Sequence, residues 1–142
     1  MAKIVYNACF GGFGLSETAI QRYAELAGLK LYPEEDNPWE KIYWTIPQEE
    51  RVKRPRDWAE ASPEERDAYD KCYTNNAIHP RNFTRTDPIL VQVVEELGPR
   101  ANGPHANLQI AEVPSGSRYR IDEYDGSESV ETPESYEWEI AP

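Results

Sequence analysis

Apolar and polar positions change their spacing along the chain, and each change marks an element. In "KIVY", Lys3 to Tyr6, the β-branched centre predicts a short first strand. After a glycine-rich stretch, Ala19, Ile20, Tyr23, Ala24 and Ala27 recur at helical spacing. Ser16 stands where an N-cap belongs, Leu15 and Ile20 at the two positions of a hydrophobic staple, and Gly28 at the C-cap. From Lys30 to Ala61 the spacing loosens, apart from "KIYWTIP", which reads as a strand ending near Pro47.

Regular grammar returns at "SPEERDAYDKCY". Ser62 caps, Pro63 takes the first helical position and Glu65 completes a capping box. Ala68, Tyr69, Cys72 and Tyr73 are predicted to face the body. The clearest helix is "TDPILVQVVEELGP": Asp87 caps, Pro88 opens, and Leu90, Val91, Val94 and Leu97 form the buried stripe before Gly98-Pro99 ends it. Glu95 and Glu96 sit at the unfavourable end of its dipole, which calls for solvent or a basic neighbour.

"ANLQIAEVP" is the next predicted strand, and "YRIDEYDGSESVET" a hairpin turning at Asp125-Gly126. That register sets Ile121 opposite Val130 and Arg120 opposite Glu131. Tyr136, Trp138 and Ile140 alternate with glutamates, which suits an edge strand. The sum is an α+β fold: a small, mainly antiparallel sheet with helices packed on one side. Residues 1–142 form a single domain in this reading, with a less regular insertion around 30–61 and an acidic C-terminal hairpin and edge segment.

The length of 142 residues suits one compact domain. Twelve prolines, nine tyrosines and four tryptophans predict ordered loops rather than disorder. The formal charge is −11, and eight acids fall between Asp122 and Pro142 with no Lys or Arg among them. Such a field opposes binding to nucleic acid or anionic lipid. Cys9 and Cys72 form no CxxC pair, and no extended apolar run opens the chain. The expectation is therefore a reducing cytoplasm, with no membrane span.

The candidate chemistry lies in "CFGGFGLSETAIQRYAEL". Gly11, Gly12 and Gly14 allow close approach, the following helix offers free N–H groups at Ser16, and Phe10 or Phe13 can stack on a ring. Together they suit a phosphate-bearing ligand. The segment lacks a Walker lysine and the third glycine of a dinucleotide fingerprint, so a tight turn with core-filling phenylalanines is the favoured reading and a ligand loop the second. Arg81 and Arg85, before the Asp87 helix, would reinforce an anion site through their forked donors. Their other use is pairing with Asp87 or with the acidic C-terminus.

His79 and His105 sit beside prolines, with no serine, cysteine or carboxylate partner defined by spacing. The sequence has no HExxH, EF-hand or zinc-finger spacing, so neither metal nor cofactor is expected.

Three segments, "VYNACFGGFGLS", "RTDPILVQVVEELG" and "YRIDEYDGSE", together resemble a family of small, mostly uncharacterised proteins encoded by tailed bacteriophages. The resemblance leaves 30–82 uncovered and brings no functional residues with it. It implies a viral protein in the cytoplasm of an infected bacterial cell, or in the virion.

Binding needs one complementary surface, whereas turnover also needs a positioned acid, base or nucleophile. The leading expectation is a noncatalytic accessory protein that binds a host protein or sequesters a small phosphorylated ligand. A virion structural or assembly component, packing as a homo-oligomer, is the alternative. An enzyme acting on a nucleotide or another small molecule ranks third.

Overall fold

The computed structural model describes residues 1–34, 42–79 and 82–142. The chain is α+β: antiparallel strands in small sheets, with a few helices packed against them. It divides into two compact units, Met1–Tyr23 with Thr84–Pro142, and Ala24–Phe83. The second unit takes in the irregular 30–61 stretch and everything after it as far as Phe83. Among the described residues, no helix is long and apolar enough to cross a membrane.

In the first unit, β1 (Ala2–Asn7) pairs antiparallel with β5 (Leu108–Val113), from Ala2 opposite Val113 to Asn7 opposite Leu108. Neighbouring Ile4 and Val5 are both fully buried. Successive strand residues point to opposite faces, so β1 is covered on both. Helix α3 (Pro88–Leu97) packs against β1 and β5 and buries Leu90, Val91, Val93 and Val94. Leu97 is only half-buried, and Val93 takes the place expected for it.

Capping follows the sequence. Asp87 Oδ1 accepts from Ile89 N at 2.9 Å, and Pro88 needs no N–H at the first helical position. The Tyr23 hydroxyl donates to the other oxygen, Asp87 Oδ2, linking helix α1 (Glu17–Ala27) to the start of α3. Burial first, and the Asp87 carboxylate second, push that hydroxyl well above its ordinary pKa. Glu95 and Glu96 meet Lys3 at 3.0 Å and Arg22 at 2.9 Å, which answers their unfavourable place on the dipole. The bonds from Arg22, and then from Gln92, hold the Glu96 carboxyl below the usual carboxylate range.

The hairpin of β6 (Arg120–Tyr124) and β7 (Ser127–Glu131) turns at Asp125-Gly126, both at positive φ. Its register pairs Ile121 with Val130 and Arg120 with Glu131, as the alternation predicts. The expected edge strand beyond it does not form: residues 136–142 are in no strand, and Trp138 and Ile140 are 89% and 95% exposed. Two apolar side chains among glutamates have no facing sheet edge here to pair with, so alternation alone is not enough.

The second unit holds a three-stranded sheet of two-residue strands, β2 (Tyr32–Pro33), β3 (Tyr43–Trp44) and β4 (Ala77–Ile78), in the order β2-β3-β4. The strand read across "KIYWTIP" is thus limited to Tyr43 and Trp44, and Lys41 lies outside the described residues. Ile42, Trp44 and Ala77 form a small core, against which Tyr32, Ile46, Cys72 and Tyr73 pack. Helix α2 (Pro63–Asn76) starts on Ser62, whose side chain accepts from Glu65 N at 3.2 Å. None of its residues is buried: Tyr69, Cys72 and Tyr73 are half-covered, and Ala68 is exposed rather than inward. The reason is that its aromatic face lines an opening.

Candidate functional site

The glycine stretch is packed against other backbone of its own unit. A Cβ on Gly11 would lie 2.5 Å from the His105 carbonyl oxygen, and one on Gly126 would lie 2.5 Å from Gly12 N and 2.8 Å from Gly11 N. The hairpin turn therefore covers the amides expected to cradle an anion. A Cβ on Gly103 would lie 2.9 Å from the Gly14 carbonyl carbon, and Gly103 N donates to Gly14 O at 2.9 Å. Ser16 Oγ accepts from Ala19 N at 3.1 Å and donates to the Arg100 carbonyl at 2.5 Å. Phe10 is 65% exposed, while Phe13 lies under Arg85, whose guanidinium carbon is 3.7 Å from the ring centroid.

Arg85 has the pairing that the sequence offered as its other use. Its fork grips Glu128 at 2.6 and 2.9 Å, and Nη1 also donates to the Val5 carbonyl at 3.3 Å. Glu128 Oε1 in turn accepts from Asn7 N at 2.8 Å. Fully buried Asn7 donates to the carbonyls of Cys9 and Gly126 and accepts from Asn107 N, all at 2.8 Å. The open edge of β1 is thereby closed by Arg85 and Glu128, and the glycine turn is tied to the hairpin. Arg81, the other expected cation, lies outside the described residues.

An aromatic-lined opening is in the second unit. A cavity of about 1660 Å³ is bounded by the sheet residues Tyr32 and Trp44, the 47–54 segment, Trp58, and α2 through Tyr69 and Tyr73. That volume exceeds the roughly 300–1,000 Å³ of pockets that hold drug-sized ligands. Its aromatic lining is continuous. Trp58 meets Tyr69 edge-on at 5.9 Å, Tyr69 stacks with Tyr73 at 6.1 Å, and Tyr73 meets Trp44 edge-on at 5.5 Å. The two tyrosines fall at i and i+4 of α2, the spacing that brings side chains together on one helix face.

Cations sit on these rings. The guanidinium carbon of Arg51 is 5.0 Å from the Trp44 ring centroid, and that of Arg54 is 5.6 Å from Trp58. Arg51 is further fixed by donating to the Ile46 carbonyl at 3.1 Å, and Lys53 stands between the two arginines in sequence. Among the described residues, neither Lys53 nor Arg54 makes an ion pair. Glu34, Glu49 and Asp70 bring the opposite sign to the same wall. Burial first, then the Glu34 carboxylate, push the Tyr69 hydroxyl above its ordinary pKa, with Arg54 pulling the other way. It is therefore a neutral donor. Trp44 Nε1 is buried with no hydrogen-bond partner among the described residues, at a cost of about 1–3 kcal/mol.

The histidines divide between the units. His105 lies against Gly11, and His79 lies 5.7 Å from the Tyr73 ring, at the cavity wall. Cys9 Sγ donates to the Phe10 carbonyl at 3.6 Å, and Cys72 Sγ accepts from Val52 N at 3.4 Å. Among the described residues, no three His, Cys, Asp or Glu side chains group as metal ligands.

The aromatic residues Trp44, Trp58, Tyr69 and Tyr73 and the arginines Arg51 and Arg54 were not singled out as binding candidates from sequence. The signal was a basic run, Arg51 to Arg56, set between Tyr43-Trp44 and Trp58; the acids flanking the run diluted it. No family model, curated protein or solved structure matches the chain.

Proposed function

We propose that the chain is a noncatalytic accessory binding protein that holds a small phosphorylated molecule in the cavity of its second unit. One observation carries the reading: four linked aromatic rings and two arginines lying over them line a space large enough for a ligand. Rings supply apolar contact, and cations already held against those rings lose little freedom on binding. The glycine turn contributes by building the first unit, since the hairpin turn packs against it and Arg85 is paired within it. The resemblance of three segments to tailed-phage proteins supports an infected bacterial cell as the setting.

A second reading, a host-protein partner, draws on exposed Trp138 and Ile140 in the acidic C-terminal segment. Calorimetry against bacterial extract, split into metabolite and protein pools, separates the two. The expected result is saturable heat from the metabolite pool, with the ligand recovered unchanged afterwards. Heat from the protein pool alone would favour the second reading. Released product would show turnover, and no heat from either pool would end both.

A further inference from the structure

We infer that the occupant of the second unit's cavity is a nucleotide, bound by its base and its phosphate together; this rests on the binding reading above. The argument begins with the two arginine–tryptophan pairs. A guanidinium lying on an indole presents its other face as a flat, charged platform, and nucleobases stack on such planes as readily as on aromatic rings. Arg54 lies over Trp58 and Arg51 over Trp44, so one cavity offers two guanidiniums beside aromatic rings.

The charges on the wall narrow the class. Arg51, Lys53 and Arg54 face a cavity that also carries Glu34, Glu49 and Asp70. A bare phosphate would meet both signs and gain little. A purely apolar ring would leave the cations unused. A nucleotide uses both signs: its phosphate accepts from guanidinium and ammonium groups, while ribose hydroxyls and base amino groups donate to carboxylates.

The overall charge of −11 restricts the size of the anion. A nucleic-acid strand needs many phosphate contacts along a basic track. A single nucleotide needs only the local cluster. A free nucleotide is therefore favoured over a strand, in keeping with the sequence expectation against direct nucleic-acid binding.

Calorimetric titration of the full chain with the four common nucleoside monophosphates tests this, with adenosine and ribose 5-phosphate as the two halves of one of them. At least one monophosphate should saturate the protein. If that one is adenosine monophosphate, each half should bind at least about tenfold more weakly; otherwise its own nucleoside replaces adenosine. Because Arg54 serves base and phosphate alike, Arg54→Gln should weaken the nucleoside and weaken its monophosphate at least about tenfold more, which narrows the preference for the phosphate. Circular dichroism would confirm that the variant is folded. A nucleoside that binds as tightly as its monophosphate would overturn the inference, as would an Arg54→Gln protein with unchanged preference. If no monophosphate binds but the metabolite pool still does, the nucleotide class is wrong and the binding reading stands. If neither binds, both are wrong.

Discussion

Glu128→Ala will destabilise the first unit by about 3–5 kcal/mol, the cost of leaving one member of a buried ion pair alone. The Glu128 and Arg85 side chains are 8% and 19% exposed, so water cannot replace the lost carboxylate well. The change also strips the partner from Asn7 N and leaves the edge of β1 without its acidic cap. In a chain whose whole stability is about 5–15 kcal/mol, this is enough to lower the melting temperature by more than ten degrees. A double-mutant cycle with Arg85→Ala should show strong coupling, because the second deletion removes a charge that the first has already orphaned. Additive losses, or a Glu128→Ala loss below about 1 kcal/mol, would mean that the pair behaves as an exposed surface bridge.

The second large effect separates two glycines in contact with each other. Gly12 has φ +94°, but a Cβ there would meet nothing within 4 Å. Gly12→Ala therefore carries only the left-handed backbone cost of about 1–2 kcal/mol. Gly126 has φ +86°, and its Cβ would meet the amides of Gly11 and Gly12. Gly126→Ala adds forced displacement of backbone, a further 1–3 kcal/mol or so. Urea unfolding of the two variants should rank them in that order. Equal losses would show that the hairpin turn does not rest on the glycine stretch as described.

The parts of the fold that were legible in sequence are those with local causes. Ser16, Ser62 and Asp87 each cap the helix they precede, because a side-chain oxygen beside free N–H groups acts within a few residues. The β6–β7 register followed from Asp125-Gly126 and the alternation around it. What was not legible depends on distant residues. For Arg85 the sequence offered pairing with Asp87 or the acidic C-terminus beside an anion grip, but did not single out Glu128, far along the chain, as the partner. For Gly11 and Gly12 a cradle stayed open beside a tight turn, because nothing nearby in sequence announces Gly126 as their cover.

The cavity was hidden for a different reason. Its wall is built from short, irregular pieces, two-residue strands and the 47–54 segment, that carry no hydrophobic period. Tyr69 and Tyr73 give α2 an aromatic stripe that reads as core. In the fold that stripe lines an open space instead, so a core face and a cavity wall share one sequence signature.

The central claim is that recognition belongs to the second unit's cavity and that the glycine turn is a building element of the first. It is tested most directly by calorimetric binding of the metabolite pool to three proteins at low temperature: the unmodified chain, Gly12→Ala, and Trp58→Leu combined with Arg54→Gln. The account predicts that Gly12→Ala binds like the unmodified chain despite its lower melting temperature, and that the double variant keeps its fold and loses at least about tenfold in affinity. Full binding by the double variant with loss in Gly12→Ala would contradict it and return the site to the glycine turn.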